Sequence, residues 1–303
     1  MRIAITDSGV GGLSVCAALE AELARRGLGA NLELLYLNAA LEDDYAYNSM
    51  PTRREQVETF DGFLDAAFSD YAPDLLFIAC NTLSVMFDDP YFDHQTRDRV
   101  AGIVDTGVAE ILAALEDWPD AGVAVFATPI TVAGNTYRRR LESAGVAPSR
   151  IVQQACPELP DAISNDVTGE QAARLLEQFV PDALGQFEPS PTRVLAALGC
   201  THFGYQAERF ARELEHHVNA ARVIDPNAAS AGVIIDRALA KAPATASPGA
   251  PRVTVVSRYT IPDRPMTSLA KYLGDAAPLT LAALVNHETR PDFFARKPQD
   301  LSA

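Results

Sequence analysis

Two segments of this chain end an apolar run in a thiol followed by hydrogen-bonding side chains. "DLLFIACNTLS" (74–84) delivers Cys80, Asn81 and Thr82, and "VLAALGCTHF" (194–203) delivers Cys200, Thr201 and His202. A single cysteine at the end of a strand is ordinarily a small buried hydrophobe. Two, each trailed by polar residues, suggest similar halves facing one another across a cleft. A thiol has a reference pKa of about 8.5, close enough to neutrality for one to act as thiolate base and the other as thiol acid. Taking a proton from one face of a carbon and returning one to the opposite face inverts the centre, which is racemisation or epimerisation.

A third segment, "ITDSGVGGLSV" (5–15), sets Asp7 and Ser8 before a glycine turn. Counted from Gly9, a dinucleotide-binding G-x-G-x-x-G would need glycine where Ser14 stands, and there is no G-K-[ST] of a phosphate loop. The glycines serve a tight strand-to-helix turn, and the carboxylate and hydroxyl stand at its mouth. The α-proton of an amino acid is weakly acidic, so the charge that develops on its removal needs stabilising. Pyridoxal phosphate would do this through a lysine Schiff base. The chain has only Lys241, Lys271 and Lys297, none in a strand-end motif. A cofactor-free route, with donors aimed at the carboxylate, fits better. Cys156 in "ACPELPD" reads as structural, within a turn made by Pro157 and Pro160. His216 and His217 are consecutive on a helix-like segment and point in different directions, so no metal is expected. Arg138 to Arg140 reads as a solvated helix face.

These residues must be positioned by an α/β scaffold, because apolar runs alternate with helical patterns along the chain. Expected strands are 2–6, 32–37, 74–79, 122–127, 150–154, 193–198, 222–224 and 252–257, with a helix over Thr52 to Tyr71 and a Pro/Ala/Ser/Gly linker from Lys241 to Pro251. In such sheets ligands collect beyond the carboxyl ends of the strands. The chain has 303 residues, 48% of them hydrophobic, enough for two domains of ordinary size. The formal charge of −15 disfavours nucleic acid and anionic membrane as partners. No apolar run is long enough to span a bilayer, "MRIAIT" reads as a first strand and not a signal peptide, and four scattered cysteines without C-x-x-C spacing suit a reducing cytoplasm.

The three motifs, in this order, resemble those of glutamate racemase in the aspartate/glutamate racemase superfamily. Weaker matches at "GIVDTGVAEI" (102–111), "VFATPITVAGNTY" (125–137), "CPELP" (156–160), "VIDPNAASA" (223–231) and "VVSRYTIPDRPMTSLAKYLG" (255–274) extend the likeness over nearly the whole chain. The resemblance implies two similar α/β domains with mainly parallel sheets and the active site in the cleft between them, 1–100 completed by 211–303 forming the first and 101–210 the second. It implies a cofactor-independent racemase of a small amino acid, most simply glutamate, in D-amino-acid supply for cell-wall peptidoglycan, with a homodimer as an open option. Carried over by position, Cys80 takes the proton from the D-enantiomer and Cys200 from the L-enantiomer. Asp7 assists Cys80, His202 assists Cys200, and Ser8, Asn81, Thr82 and Thr201 bind substrate. The chain departs from the family in four places: Asn38 stands where an Asp is usual, the loop after it reads "EDDYAYN" instead of Pro-Tyr-Gly, Ile163 falls near the position of a supporting glutamate, and "FGY" (203–205) replaces the usual aromatic-proline after Cys200, Thr201 and His202. These departures bear on the substrate side chain. The same fold acting on aspartate or another carboxylic acid, and a catalytically weak ligand-binding relative, are the alternative readings.

Overall fold

Five of the six strands of the first sheet divide their side chains between two helical layers, and this alternation sets the architecture. A computed structural model of the chain describes residues 1–43, 45–88, 92, 95–165, 169–241 and 248–295. In strand β1 (Arg2–Asp7), Ile3 and Ile5 face a core shared with Leu19, Leu23 and Ile234, whereas Ala4 faces the opposite core with Phe60, Phe63 and Leu83. The period of two is that of a strand covered on both faces, as parallel sheets require.

Among the described residues the strands form two sheets. The first has six strands in the order β10-β9-β2-β1-β3-β4, with β2 at Glu33–Asn38, β3 at Leu75–Ile78, β4 at Val100–Gly102, β9 at Arg252–Ser257 and β10 at Glu288–Thr289. The second has four in the order β6-β5-β7-β8, with β5 at Gly122–Ala127, β6 at Ile151–Ala155, β7 at Arg193–Gly199 and β8 at Ala220–Ile224. All pairings are parallel. The fold is therefore α/β with two parallel sheets. Strand β8 pairs with β7, so residues 220–224 join the second sheet and not, as expected from the sequence, the unit that contains 211–303.

The same order recurs in both sheets: β2-β1-β3-β4 in the first and β6-β5-β7-β8 in the second. In each, the winding reverses beside the central strand, between β1 and β3 and between β5 and β7. Such reversal points open a crevice at the carboxyl ends of the strands, because the flanking helices leave to opposite faces.

Two helical expectations are refined. The helix expected over 52–71 is α-helical over Arg53–Ala66, with Thr52 as its cap accepting from the Glu55 N–H, and closes in a π-helical turn at Ala67–Tyr71. Arg140, read as part of a solvated face, instead bonds Asp88 and Asp105 from two other helix ends, and Arg138 donates to the carbonyls of Pro148 and Ile151. Carbonyls and carboxylates distant in sequence supply these partners. Most of the proposed linker (242–247) lies outside the described residues.

Candidate active site

Asp7 is the last residue of β1, and Cys80 immediately precedes the helix Asn81–Phe87 that follows β3. In the second sheet, Thr128 follows β5 and Cys200 follows β7. The two cysteines therefore occupy equivalent places, each beyond the third strand of the repeated order and beside the reversal point. Cavity walls follow from this topology. One cleft of about 370 Å³ is lined by Asp7, Ser8, Cys80, Asn81, Thr82, Cys200, Thr201 and His202 together, so all eight sequence-derived site residues meet in it.

In the glycine turn, Gly11 owes its identity to the closeness of residues that follow the second sheet, and Gly12 to the end of its own strand. A side chain on Gly11 would put its Cβ 2.6 Å from the His202 ring and from Thr201 Oγ1, and one on Gly12 would lie 2.8 Å from the Asp7 Cβ. Both are closer than real Cβ contacts allow, so these positions require glycine for close approach. The Tyr205 hydroxyl adds a hydrogen bond to the Gly11 carbonyl at 3.2 Å.

Asp7 is 2% exposed and held on both oxygens. Oδ1 accepts from the Ser8 N–H at 2.7 Å and from Ser8 Oγ at 3.4 Å, while Oδ2 accepts from Thr201 Oγ1 at 2.8 Å. Ser8 Oγ in turn lies 3.1 Å from Cys80 Sγ. A continuous row of polar atoms thus runs from thiol to hydroxyl to carboxylate. Burial raises the Cys80 pKa, the Asp7 charge raises it further, and hydrogen bonds from Ser8 and the Leu83 N–H oppose both. For Cys200 burial likewise pushes the thiol up, against backbone donors at His202 and Phe203. His202 Nδ1 lies 3.8 Å from Cys200 Sγ, and burial lowers the imidazole pKa, with Asp7 and Asp161 opposing. The ring is therefore neutral near pH 7.

On the Cys80 side, Asn81 Oδ1 accepts from the buried Tyr137 hydroxyl at 2.7 Å. Its Nδ2 is buried without a hydrogen-bond partner among the described residues. A buried donor left unmade is costly. Thr82 shares a hydroxyl triangle with Thr128 at 2.9 Å and Thr131 at 3.3 Å, which ties the helix after β3 to the segment after β5.

The sequence reading did not place Thr128, Asp161, Tyr259 or Arg264 in the site, although all four line the cleft. None of the four carries a local pattern that marks it. Ile163 is 1% exposed and packs in the core beside the second sheet, while Asp161 and Ser164 of the same helix face the cleft. Cys156 is buried with its thiol pKa raised by burial, and His216 and His217 are exposed, His217 being 3.1 Å from Glu213. Among the described residues no group of three or more His, Cys, Asp or Glu is placed to hold a metal.

Glutamate racemase of Aquifex pyrophilus is 27% identical over 230 residues, spanning 76% of this chain and 80% of its own. That of Aquifex aeolicus is 27% identical over 237 residues, spanning 78% and 83%. The chain is similar to the glutamate racemases. Its fold is theirs too: glutamate racemase of Francisella tularensis, solved with D-glutamate, superposes with a TM-score of 0.71 over 90% of this chain and 93% of that one, at 19% identity. The isoform RacE1 of Bacillus anthracis gives 0.68 over 90% and 94%, again at 19% identity. No protein-family model matches the chain. Among the described residues no helix is long and apolar enough to cross a membrane.

Proposed function

We propose that the chain is an isomerase, a cofactor-independent amino-acid racemase that interconverts D- and L-glutamate by proton transfer between two thiols. The observation that carries this reading is the pair Cys80 and Cys200 at equivalent strand ends of the two sheets, lining one cleft. The similarity to glutamate racemases supports the substrate.

From the D-enantiomer, the Cys80 thiolate takes the α-proton while the Cys200 thiol gives its proton to the opposite face of the same carbon. The product is the L-enantiomer, with Cys80 left as thiol and Cys200 as thiolate; the reverse reaction exchanges these roles. Both thiols rest protonated, because burial raises their pKa values. Ser8 Oγ, 3.1 Å from Cys80 Sγ and 3.4 Å from Asp7 Oδ1, is placed to accept the thiol proton as it passes its own to the carboxylate. Neutral His202 serves Cys200 in the same way. Asn81 Nδ2 and the Thr82 hydroxyl hold the α-carboxylate as it gains enediolate character, the stage at which aimed donors stabilise most, while the Thr201 hydroxyl, its proton given to Asp7, keeps the Asp7 carboxylate in place. No lysine lines the cleft, so a Schiff base to pyridoxal phosphate has no amine there among the described residues.

The test is deuterium incorporation at the α-carbon in heavy water, followed by NMR with D- and L-glutamate and D- and L-aspartate. The wild type is expected to exchange glutamate. Cys80→Ala and Cys200→Ala are each expected to lose racemisation by at least about 10²-fold, the usual worth of a positioned acid or base. A wild type that exchanges none of the four leaves the racemase reading without support. Either single variant racemising at the wild-type rate removes the two-base assignment.

A further inference from the structure

The cleft carries an imbalance of charge that its thiol chemistry does not use. Asp7, Asp43 and Asp161 line it, and Arg264, in the first turn of the helix Asp263–Leu273, is the single lysine or arginine among its lining residues. Arg140, by contrast, is committed to Asp88 and Asp105, and Arg26 to Glu22 and Asp236. Arg264 has no ion-pair or hydrogen-bond partner among the described residues and stands exposed at the cleft.

Beside it on the same stretch of chain, Tyr259 lines the cleft as well, and its hydrogen bonding has a direction. Asn38 Oδ1 accepts from the Ala40 N–H at 3.0 Å, which fixes the amide, and Nδ2 then donates to Ser257 Oγ at 3.2 Å and to the Tyr259 hydroxyl at 3.1 Å. An amide nitrogen only donates, so the phenol accepts in this bond and its own proton stays unspent. A carboxylate at position 38 would accept that proton. Burial raises the phenol pKa, so Tyr259 stays a donor at neutral pH.

We infer that Tyr259 and Arg264 form the specificity end of the cleft, holding the distal carboxylate of an acidic amino acid; this rests on the racemase reading above. The pairing is a charge-assisted guanidinium–carboxylate contact with a phenol donor at its side. The loop "EDDYAYN" brings to the cleft Asp43, a group of the wrong sign, and the uncharged amide of Asn48, so the positive charge comes from Arg264.

The test compares glutamate with glutamine, which keeps the length and removes the distal charge. Both are followed by α-deuterium exchange for wild type, Arg264→Gln, Arg264→Lys and Tyr259→Phe. Arg264→Gln is expected to raise KM for glutamate about tenfold with kcat nearly unchanged, a loss of about 1.4 kcal/mol, and to leave glutamine untouched. Arg264→Lys should recover part of this, and Tyr259→Phe should lose about threefold for glutamate alone, within the range of a single hydrogen bond. An unchanged glutamate KM in Arg264→Gln, or equal losses on glutamate and glutamine, overturns the inference. If the wild type exchanges only aspartate, the same comparison is made with asparagine and decides in the same way. If the wild type exchanges no amino acid, the racemase reading fails by itself, and calorimetric titration with D-glutamate decides the inference. Binding that weakens about tenfold in Arg264→Gln supports it, and no binding, or equal binding, overturns it.

Discussion

At the scale of the residue, the two thiols are alike in burial and unlike in company. Cys80 is 5% exposed and Cys200 7%, and burial is the main cause that raises each pKa. The Asp7 charge raises both pKa values, but Cys80 is linked to it by a serine hydroxyl, while Cys200 has a neutral imidazole at 3.8 Å. The sign of the pH dependence follows. A raised thiol pKa leaves little thiolate at pH 7, and the base form grows about tenfold per pH unit until the pKa is passed. We therefore expect kcat/KM for both enantiomers to climb from pH 7 through pH 9, beyond the ordinary thiol value of about 8.5. A profile that is flat over that range would mean that the free enzyme already holds a thiolate, or that Asp7 and His202 take up the thiol protons inside the site without exchange with solvent. Asp7, Ser8, Cys80 and Asn81 were legible in the sequence because each lies within three residues of a strand end. Arg264 was not, since its relevance depends on a cleft assembled from segments more than 180 residues apart in number, from Cys80 to Arg264.

At the scale of the element, the repeated strand order places the chemistry. The apolar runs announced nearly every strand within a residue or two, because buried parallel strands are continuous hydrophobic segments. Their order in the sheets is a long-range matter that no local pattern carries, and the pairing of β8 with β7 departed from the expected division of the chain for that reason. The glycine turn shows the same limit: its sequence reads as a tight strand-to-helix turn, and only the adjacent His202 and Thr201 explain Gly11. Gly11→Ala is expected to cost about 1–3 kcal/mol, the usual penalty for forcing atoms into a filled site. Because the displaced groups belong to the cleft, racemisation should fall along with the denaturation midpoint. Chemical unfolding and activity measured on the same preparation check this. A variant as stable as wild type with full activity would show that His202 and Thr201 can move aside freely.

At the scale of the whole molecule, a net charge of −15 surrounds a cleft proposed to take an anion. Long-range repulsion slows the approach of glutamate, and salt relieves it as the screening length falls from about 30 Å at 0.01 M to about 8 Å at 0.15 M. Arg264 acts at contact, inside either length. KM for glutamate should thus drop by about twofold over this range of salt, whereas KM for glutamine, with no net charge, should hold steady; steady-state kinetics at fixed pH reads both. A rise in KM for glutamate with salt would instead put the local guanidinium in command. The cleft also joins two kinds of structure. Cys80 and Cys200 sit directly on the ends of central strands, while Asp43, Asn48, Asp161, Tyr259 and Arg264 come from loops and helix starts around the rim. Loops accept substitutions and insertions that strands do not. Inheritance can therefore act on the two parts separately: a lineage can exchange its rim and acquire a new substrate in a few steps, while the proton-transfer apparatus passes down unaltered.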